Sequence, residues 1–331
     1  MSTLDNYIAE SVSEDVSVGD IYVEQALAQL NVAYSLVASY AKDVAYVEYM
    51  AEMNGVDIYQ EGFFTESDKG DDGSDDEGDK GKKEPGKLKK FGKSLLSGPH
   101  KIWSLIKAAA TAVATAATNL WRFITEKNLT KCAEKLRADE SNKTYTVSSL
   151  FESSLGNIID ITDNFANQID NIIASLGQGK EYGEVTISAE TFKFSASDLR
   201  SKQMSGPQLA VLIDKAIKAD TKEKIKRIIK KLKDSIDNVN KLDKEQSKNL
   251  EKGKVYKTNK YINAEVYKKC CDAAKVITDA YTTFLKDLKH ISNQVLKDVK
   301  KNNKNSGGGN PEPPKNDEGD GAGDGNGGGD E

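Results

Sequence analysis

Residues 101–126 read KIWSLIKAAATAVATAATNLWRFITE, and this stretch decides the fold class. Its apolar side chains recur at alternating spacings of four and three residues, which is the period of one face of an α-helix. The members of this stripe are Ile102, Ile106, Ala109, Val113, Ala116, Leu120 and Phe123. Alanine and threonine fill the middle of the stretch, and such small side chains allow helices to approach one another closely. The stretch therefore predicts a helix packed inside a helical bundle.

The same stretch fits one alternative, a membrane-active helix. Tryptophans bracket it, as they bracket helices that lie at or cross a bilayer surface. Lys107 and the low hydrophobicity of alanine and threonine argue against a fully spanning segment. On either interpretation, the large side chains of the stretch are the ones that meet a bilayer or a partner helix. They are Trp103, Ile106, Val113, Leu120, Trp121 and Phe123.

Residues 20–53 predict a second long helix with a coiled-coil-like seam. Asp20 is the predicted N-cap, and the dipeptide Asn54-Gly55 supplies the turn that ends the helix. The seam consists of Val23, Leu27, Leu30, Tyr34, Val37, Ala41 and Val44. No charged residue occurs in residues 25–41, so more than one face of this helix is apolar and it needs a partner helix.

Three further segments carry helical periodicity. They are residues 148–176, a run that begins at Pro207 and restarts at an Asp220/Glu223 capping box, and residues 264–301. Cys270 lies in the apolar stripe of the last helix, which predicts a small buried side chain rather than a nucleophile. Between the first two segments, the alternation around Val185, Ile187, Phe192 and Phe194 predicts a small β-hairpin near residues 183–196.

Two segments lack the side chains that build a core. Residues 65–86 contain no aliphatic or aromatic side chain, and residues 306–331 are rich in glycine and aspartate. We predict that both are disordered. The expected organisation is a helical N-terminal segment (1–61), an acidic linker (62–86), a basic helical body (87–305) and a tail (306–331). The fold class is mostly α, an elongated bundle of long amphipathic helices.

Charge is strongly segregated along the chain. Residues 1–79 carry 2 basic and 19 acidic groups, residues 80–305 carry 44 and 26, and residues 306–331 carry 1 and 7. A basic middle between acidic ends favours contact with a polyanion, whose phosphates would be bound without sequence readout. The candidate cations are Lys87, Lys89, Lys90, Lys93, Lys224, Lys226, Arg227, Lys230, Lys231 and Lys233. The alternative is an ordinary solvated lysine-rich surface.

No motif in the sequence assembles a catalytic or metal site. Residues 86–94, GKLKKFGKS, have five residues between the glycines where a phosphate-binding loop has four. The two histidines and three cysteines have no recognisable triad or metal-ligand spacing. Residues 1–17 lack the basic and apolar regions of a secretory signal. We therefore expect a non-enzymatic protein without a cofactor or metal, made inside a cell.

One short segment, residues 58–64 with the sequence IYQEGFF, has the layout of a processing site. It resembles the cleavage sites of tailed-bacteriophage structural proteins, whose maturation proteases cut after a glutamate, here between Glu61 and Gly62. The family pattern commonly has an aliphatic residue two positions earlier, where this chain has Tyr59. The acidic helical leader and lysine-rich body are likewise similar to internal head proteins packaged with phage DNA. Removal of residues 1–61 would change the net charge of the chain from −5 to +5.

The resemblance implies a virion structural protein, made in the host cytoplasm and packaged inside the head. Its expected partners are phage head proteins, a maturation protease and, nonspecifically, DNA. Self-association through the helical seams is a further expectation. A membrane-active helical protein is the alternative from another class, and an intracellular assembly factor is a third.

Overall fold

The computed structural model describes residues 3–53, 55, 98–140, 142–152, 155–177, 201–251 and 264–305. The fold is mostly helical, with one two-stranded antiparallel sheet within these ranges. The elements in chain order are α1 (Thr3–Met53), α2 (Gly98–Glu126), α3 (Leu129–Arg137), β1 (Thr144–Ser148), α4 (Ser149–Glu152), α5 (Leu155–Gly177), β2 (Ser201–Ser205), α6 (Gly206–Ile217), α7 (Ala219–Glu251) and α8 (Ala264–Asn305). The mostly-α prediction is thereby confirmed.

Helix α2 lies at the centre and packs against α1, α7 and α8. Its small residues allow this, because the alanines at 109, 110, 112, 116 and 117 are all buried and keep the surrounding helices close. Burial extends well beyond the single predicted stripe, to Leu105 and Ile124 as well. The predicted bundle helix is confirmed, and it is enclosed on several sides rather than on one face.

Polar contacts fix the direction of the helices around α2. The Asn119 amide donates to the Gly19 carbonyl at 2.8 Å, and the Lys101 ammonium lies 5.2 Å from the centre of the Tyr40 ring, so α1 runs antiparallel to α2. The Lys107 ammonium donates to Asn240 at 3.0 Å, which ties α2 to α7. Where α2 begins, Gly98 meets the buried Tyr40 ring, and a Cβ added there would lie 1.8 Å from Cζ. This close approach requires glycine.

Helix α1 differs from its prediction in two respects. It begins at Thr3, so Asp20 lies inside the helix, where its carboxylate is 3.8 Å from the Lys289 ammonium of α8; the predicted N-cap is wrong. The buried stripe is Val23, Ala26, Leu30, Ala33, Val37, Tyr40, Val44, Val47 and Ala51. Leu27, Tyr34 and Ala41, which the sequence placed in the seam, are only half-buried at its edge. The helix is rotated about its own axis relative to the prediction, because Ala26 and Ala33 let it approach α2 more closely than leucine or tyrosine would. The predicted end is confirmed, since Gly55 has a φ of +63° just beyond Met53.

The sheet pairs β1 with β2, and Thr144 lies opposite Ser205 at one end of the register. Tyr145, Val147 and Met204 face the core, and the Asp287 carboxylate of α8 accepts a hydrogen bond from the Ser148 backbone at 3.0 Å. Neither strand was predicted. The hairpin predicted near residues 183–196 lies outside the described residues.

Helices α6, α7 and α8 begin within about one residue of their predicted positions, whereas α3 was not predicted. The segment predicted as one helix from 148 is a strand end, the short α4 and then α5 from Leu155. Helix α7 begins at Ala219, so Asp220 lies in its first turn and the predicted capping box is wrong. Helix α8 begins at Ala264, and Cys270 is fully buried in its apolar stripe, as predicted.

Candidate functional site

The first candidate site is a basic surface on α7. Five of the exposed cations of this helix lie in its first half, and we call them the α7 basic face: Lys224, Lys226, Arg227, Lys230 and Lys233. The helix holds them in place because Ile225, Ile228, Ile229 and Leu232 alternate with them and are buried in the bundle. Their spacing is therefore set by a rigid element rather than by a loop.

Carboxylates neutralise only part of the α7 basic face. The Lys224 ammonium lies 3.6 Å from Asp220 and the Lys226 ammonium 4.0 Å from Glu223. Such exposed pairs within one helix stabilise by about 0.3–0.5 kcal/mol and open readily. Arg227, Lys230 and Lys233 have no carboxylate within 4.0 Å among the described residues. These three cations are the ones most available to an anionic partner.

Lys231, which the sequence grouped with these cations, has a different environment. Its ammonium donates a hydrogen bond to Asn167 and lies 3.6 Å from the Asp163 carboxylate of α5. The side chain is half-buried between the two helices. Lys231 therefore holds α7 against α5 and is not part of the α7 basic face.

The other predicted site residues near the linker lie outside the described residues. They are the cleavage pair Glu61 and Gly62 and the lysines Lys87, Lys89, Lys90 and Lys93. Processing and the contribution of this lysine cluster stay predictions.

The large side chains proposed to meet a bilayer or a partner helix lie in the protein's own core. Trp103, Ile106, Val113, Leu120 and Phe123 are buried, and Trp121 is partly buried against the same core. Their partner helices are α1, α7 and α8 of the same chain. None of the described helices combines the length and the apolar character needed to cross a membrane.

The three thiols lie inside the bundle. Burial raises the pKa of Cys270 to about 12, and the neighbouring Cys271 contributes to this shift. Burial also raises the pKa of Cys132 to about 11, against the opposing effect of Lys135. Neutral buried thiols are poor nucleophiles, so Cys270 behaves as the packing residue that its position in the stripe predicts.

The two histidines are engaged at the surface. His100 Nδ1 lies 2.9 Å from the Asp243 carboxylate, which joins the start of α2 to α7. His290 contacts the Gln294 amide at 2.8 Å within α8. No group of three or more histidine, cysteine or acidic side chains among the described residues is placed to hold a metal ion.

One cavity of about 230 Å³ is lined by residues of α4, α5, α6 and α8 near the start of α7. Phe151 and Phe284 form an apolar wall, stacked with ring centres 4.6 Å apart, and Lys215 and Lys218 also line it. Its walls offer apolar contact and positive charge. No carboxylate, histidine or cysteine is among the described residues that line it.

The second candidate site is an outward apolar face on α1. Its large exposed side chains are Ile21, Tyr22, Val32, Leu36, Tyr46, Tyr49 and Met53. The sequence carries a partial signal for this face, since residues 25–41 have no charge. The face itself was missed, because which apolar side chains point outward depends on how α1 is turned against α2.

Neither a family model, nor a curated protein, nor a solved structure matches this chain. Function is therefore inferred from the two surfaces and from the charge pattern of the sequence.

Proposed function

We propose that this protein is a non-enzymatic structural component of a virus particle, packaged in the head against DNA and the surrounding head proteins. The observation that carries the proposal is the α7 basic face, a group of exposed cations on a rigid helix. The layout that resembles internal head proteins of tailed phages supports it.

The geometry of the α7 basic face suits a phosphate backbone. Residues 224–233 span about 14 Å at 1.5 Å per residue, and double-stranded DNA carries one charge per about 1.7 Å of its axis. Four of the five side chains, Lys226, Arg227, Lys230 and Lys233, lie within about 120° around the helix, so several phosphates of one duplex lie within their reach. Contacts of this kind release condensed counterions and carry no sequence information, as expected for a protein that packs DNA.

The acidic ends of the chain complement this role. Residues 1–79 and 306–331 carry 26 acidic groups against 3 basic ones, which lowers the affinity of the intact chain for DNA without neutralising the α7 basic face. Cleavage after Glu61 would cut the peptide link between the basic body and a segment that carries one lysine and eleven acidic residues. Release of that segment, which requires α1 to leave the core as well as cleavage, would strengthen binding to DNA.

A matched pair of charge reversals tests the proposal. The variant Lys226→Glu/Lys230→Glu removes two cations one helical turn apart on α7. The control Lys131→Glu/Lys135→Glu makes the same charge change at the same spacing on α3, where both lysines are exposed. We expect the α7 variant to bind a short DNA duplex about ten-fold or more weakly than the control, measured by fluorescence anisotropy at low salt. Equal affinities of the two variants would contradict the role of the α7 basic face.

A further inference from the structure

We propose that the outward face of α1 binds a second copy of this chain, with the two α1 helices antiparallel. This inference does not rest on DNA binding, because it concerns a different helix and is tested without nucleic acid.

Exposed apolar side chains are concentrated on α1. Seven of the eight large hydrophobic side chains exposed among the described residues belong to this helix, and Val211 of α6 is the eighth. Val32 is 62% exposed and Tyr49 59%. Single exposed apolar residues are normal on a protein surface, whereas a contiguous set on one helix marks an interaction site.

The exposed residues form a second heptad stripe. Every member of a series with alternating spacings of four and three residues is exposed: Ile21, Gln25, Ala28, Val32, Ser35, Ser39, Lys42, Tyr46, Tyr49 and Met53. At 100° per residue this outward stripe lies roughly opposite the buried stripe of α1. The helix therefore carries one seam for its own bundle and another of the same period that faces outward.

The sizes of the side chains in the outward stripe select the partner and its direction. The second half of the stripe is bulky, with Tyr46, Tyr49 and Met53, and the stretch of the stripe within residues 28–39 is small or medium-sized. In an antiparallel pair centred between residues 40 and 41, Ala28 faces Met53, Val32 faces Tyr49, and residue 35 faces Tyr46. The bulky half of each helix thus covers the smaller half of the other copy. Two-fold symmetry makes this contact occur twice in the dimer.

A parallel pair is disfavoured by the same residues. It would place the tyrosines against their own copies and the single charge of the outward stripe, Lys42, against the partner's Lys42. Like charges directly opposed in a helical interface are destabilising. In the antiparallel register, Lys42 faces Ser39, a small side chain that the lysine stem can cover and whose hydroxyl can accept a hydrogen bond from the ammonium.

The overlap of the two helices contains most of the exposed apolar side chains of α1. In this register five of the seven large ones, Val32, Leu36, Tyr46, Tyr49 and Met53, lie within the paired stretch from residue 28 to residue 53, and Ile21 and Tyr22 lie beyond it. Two of the five are tyrosines, a residue enriched in interfaces because it is both large and amphipathic.

The association state of the full-length protein tests the proposal. We expect a dimer by sedimentation equilibrium at micromolar concentrations. The double variant Val32→Lys/Tyr49→Lys should dissociate at least about ten-fold more readily, because it places lysines of the two copies opposite each other at both sites where Val32 faces Tyr49. The control Val211→Lys changes a similarly exposed apolar residue on α6, 52% exposed, and should leave the dimer intact. Circular dichroism checks that each variant keeps its helices.

Cysteine cross-linking tests the direction. A mixture of Ala28→Cys and Met53→Cys chains should form the mixed disulfide dimer on mild oxidation. Ala28→Cys alone should not, because the two copies of residue 28 lie about 37 Å apart along an antiparallel pair. The native thiols are buried and do not interfere. A monomeric wild-type protein would overturn the proposal, and efficient cross-linking of Ala28→Cys alone would overturn the antiparallel register.

Discussion

Among single residues, Cys270 connects the apolar pattern of the sequence with a property that can be measured, the pKa of its thiol. Its place in the stripe of α8 predicted burial, and the side chain is fully buried with its pKa raised to about 12. The thiol is therefore neutral in the folded protein at pH values where it is ionised in the unfolded chain.

This difference makes the fold sensitive to alkali. An unfolded thiol ionises near pH 9, whereas the folded one keeps its proton to about pH 12. Between these values the unfolded state binds fewer protons, so the free energy of unfolding falls by about 1.4 kcal/mol per pH unit for this residue. We expect urea unfolding curves to show falling stability from pH 9 upward. The Cys270→Ala variant should show a shallower decline, and an identical decline in that variant would contradict the assignment.

Two N-terminal helix caps were predicted wrongly. Asp20 and Asp220 were predicted to begin helices, and both lie inside them. An aspartate near the start of an apolar period fits either position, because its side chain can cap a helix or pair with a cation. In the folded chain Asp20 is paired with Lys289, a partner 269 positions away that local sequence cannot indicate.

Among the elements, α1 is the one whose role the structure changes most. The sequence presented residues 1–61 as a removable acidic leader, whereas α1 buries nine side chains, five of them in the same core cluster as α2 and α8. Removing it would uncover the apolar side chains of α2. Loss of residues 1–61 after processing would therefore also disturb the core of the bundle.

This coupling predicts the behaviour of a chain cut after α1. When a specific protease site is placed within residues 62–86 and cleaved, the N-terminal fragment should stay bound to the body, because the burial of its apolar stripe does not depend on the peptide connection. Size-exclusion chromatography followed by mass spectrometry should recover both fragments in one peak. As a control, the variant Leu30→Asp/Val37→Asp places charge in the buried stripe and should release the fragment. Separation of the wild-type fragments under native conditions would contradict the packing of α1.

The long helices were predictable from sequence because their apolar periods are long, whereas the short α3 and the sheet were not. Strands β1 and β2 have five residues each and pair across a separation of more than fifty residues. Their buried side chains, Tyr145, Val147 and Met204, form patterns too short to distinguish from loop sequence. Only the docking of α6 and α8 around them defines the pairing.

At the scale of the whole molecule, charge and apolar surface are assigned to different helices. The basic face lies on α7 and the outward stripe lies on α1. Both helices pack against the central helix α2. Composition revealed the charge segregation, because it needs only counting. The identity of the surfaces required the fold, since burial decides which lysines and which apolar side chains remain available. Of the predicted site residues, Trp103 is buried in the core and Lys231 holds α7 against α5.

The most direct test of the proposed function is the salt dependence of DNA binding by the intact protein. With about four phosphate contacts from the α7 basic face, the logarithm of the association constant should fall with the logarithm of salt concentration at a slope of about −3 to −4. The measurement is a series of anisotropy titrations on two DNA duplexes of unrelated sequence, which should give the same slope. Binding that does not weaken with salt, or no binding at low salt, would contradict the proposed function.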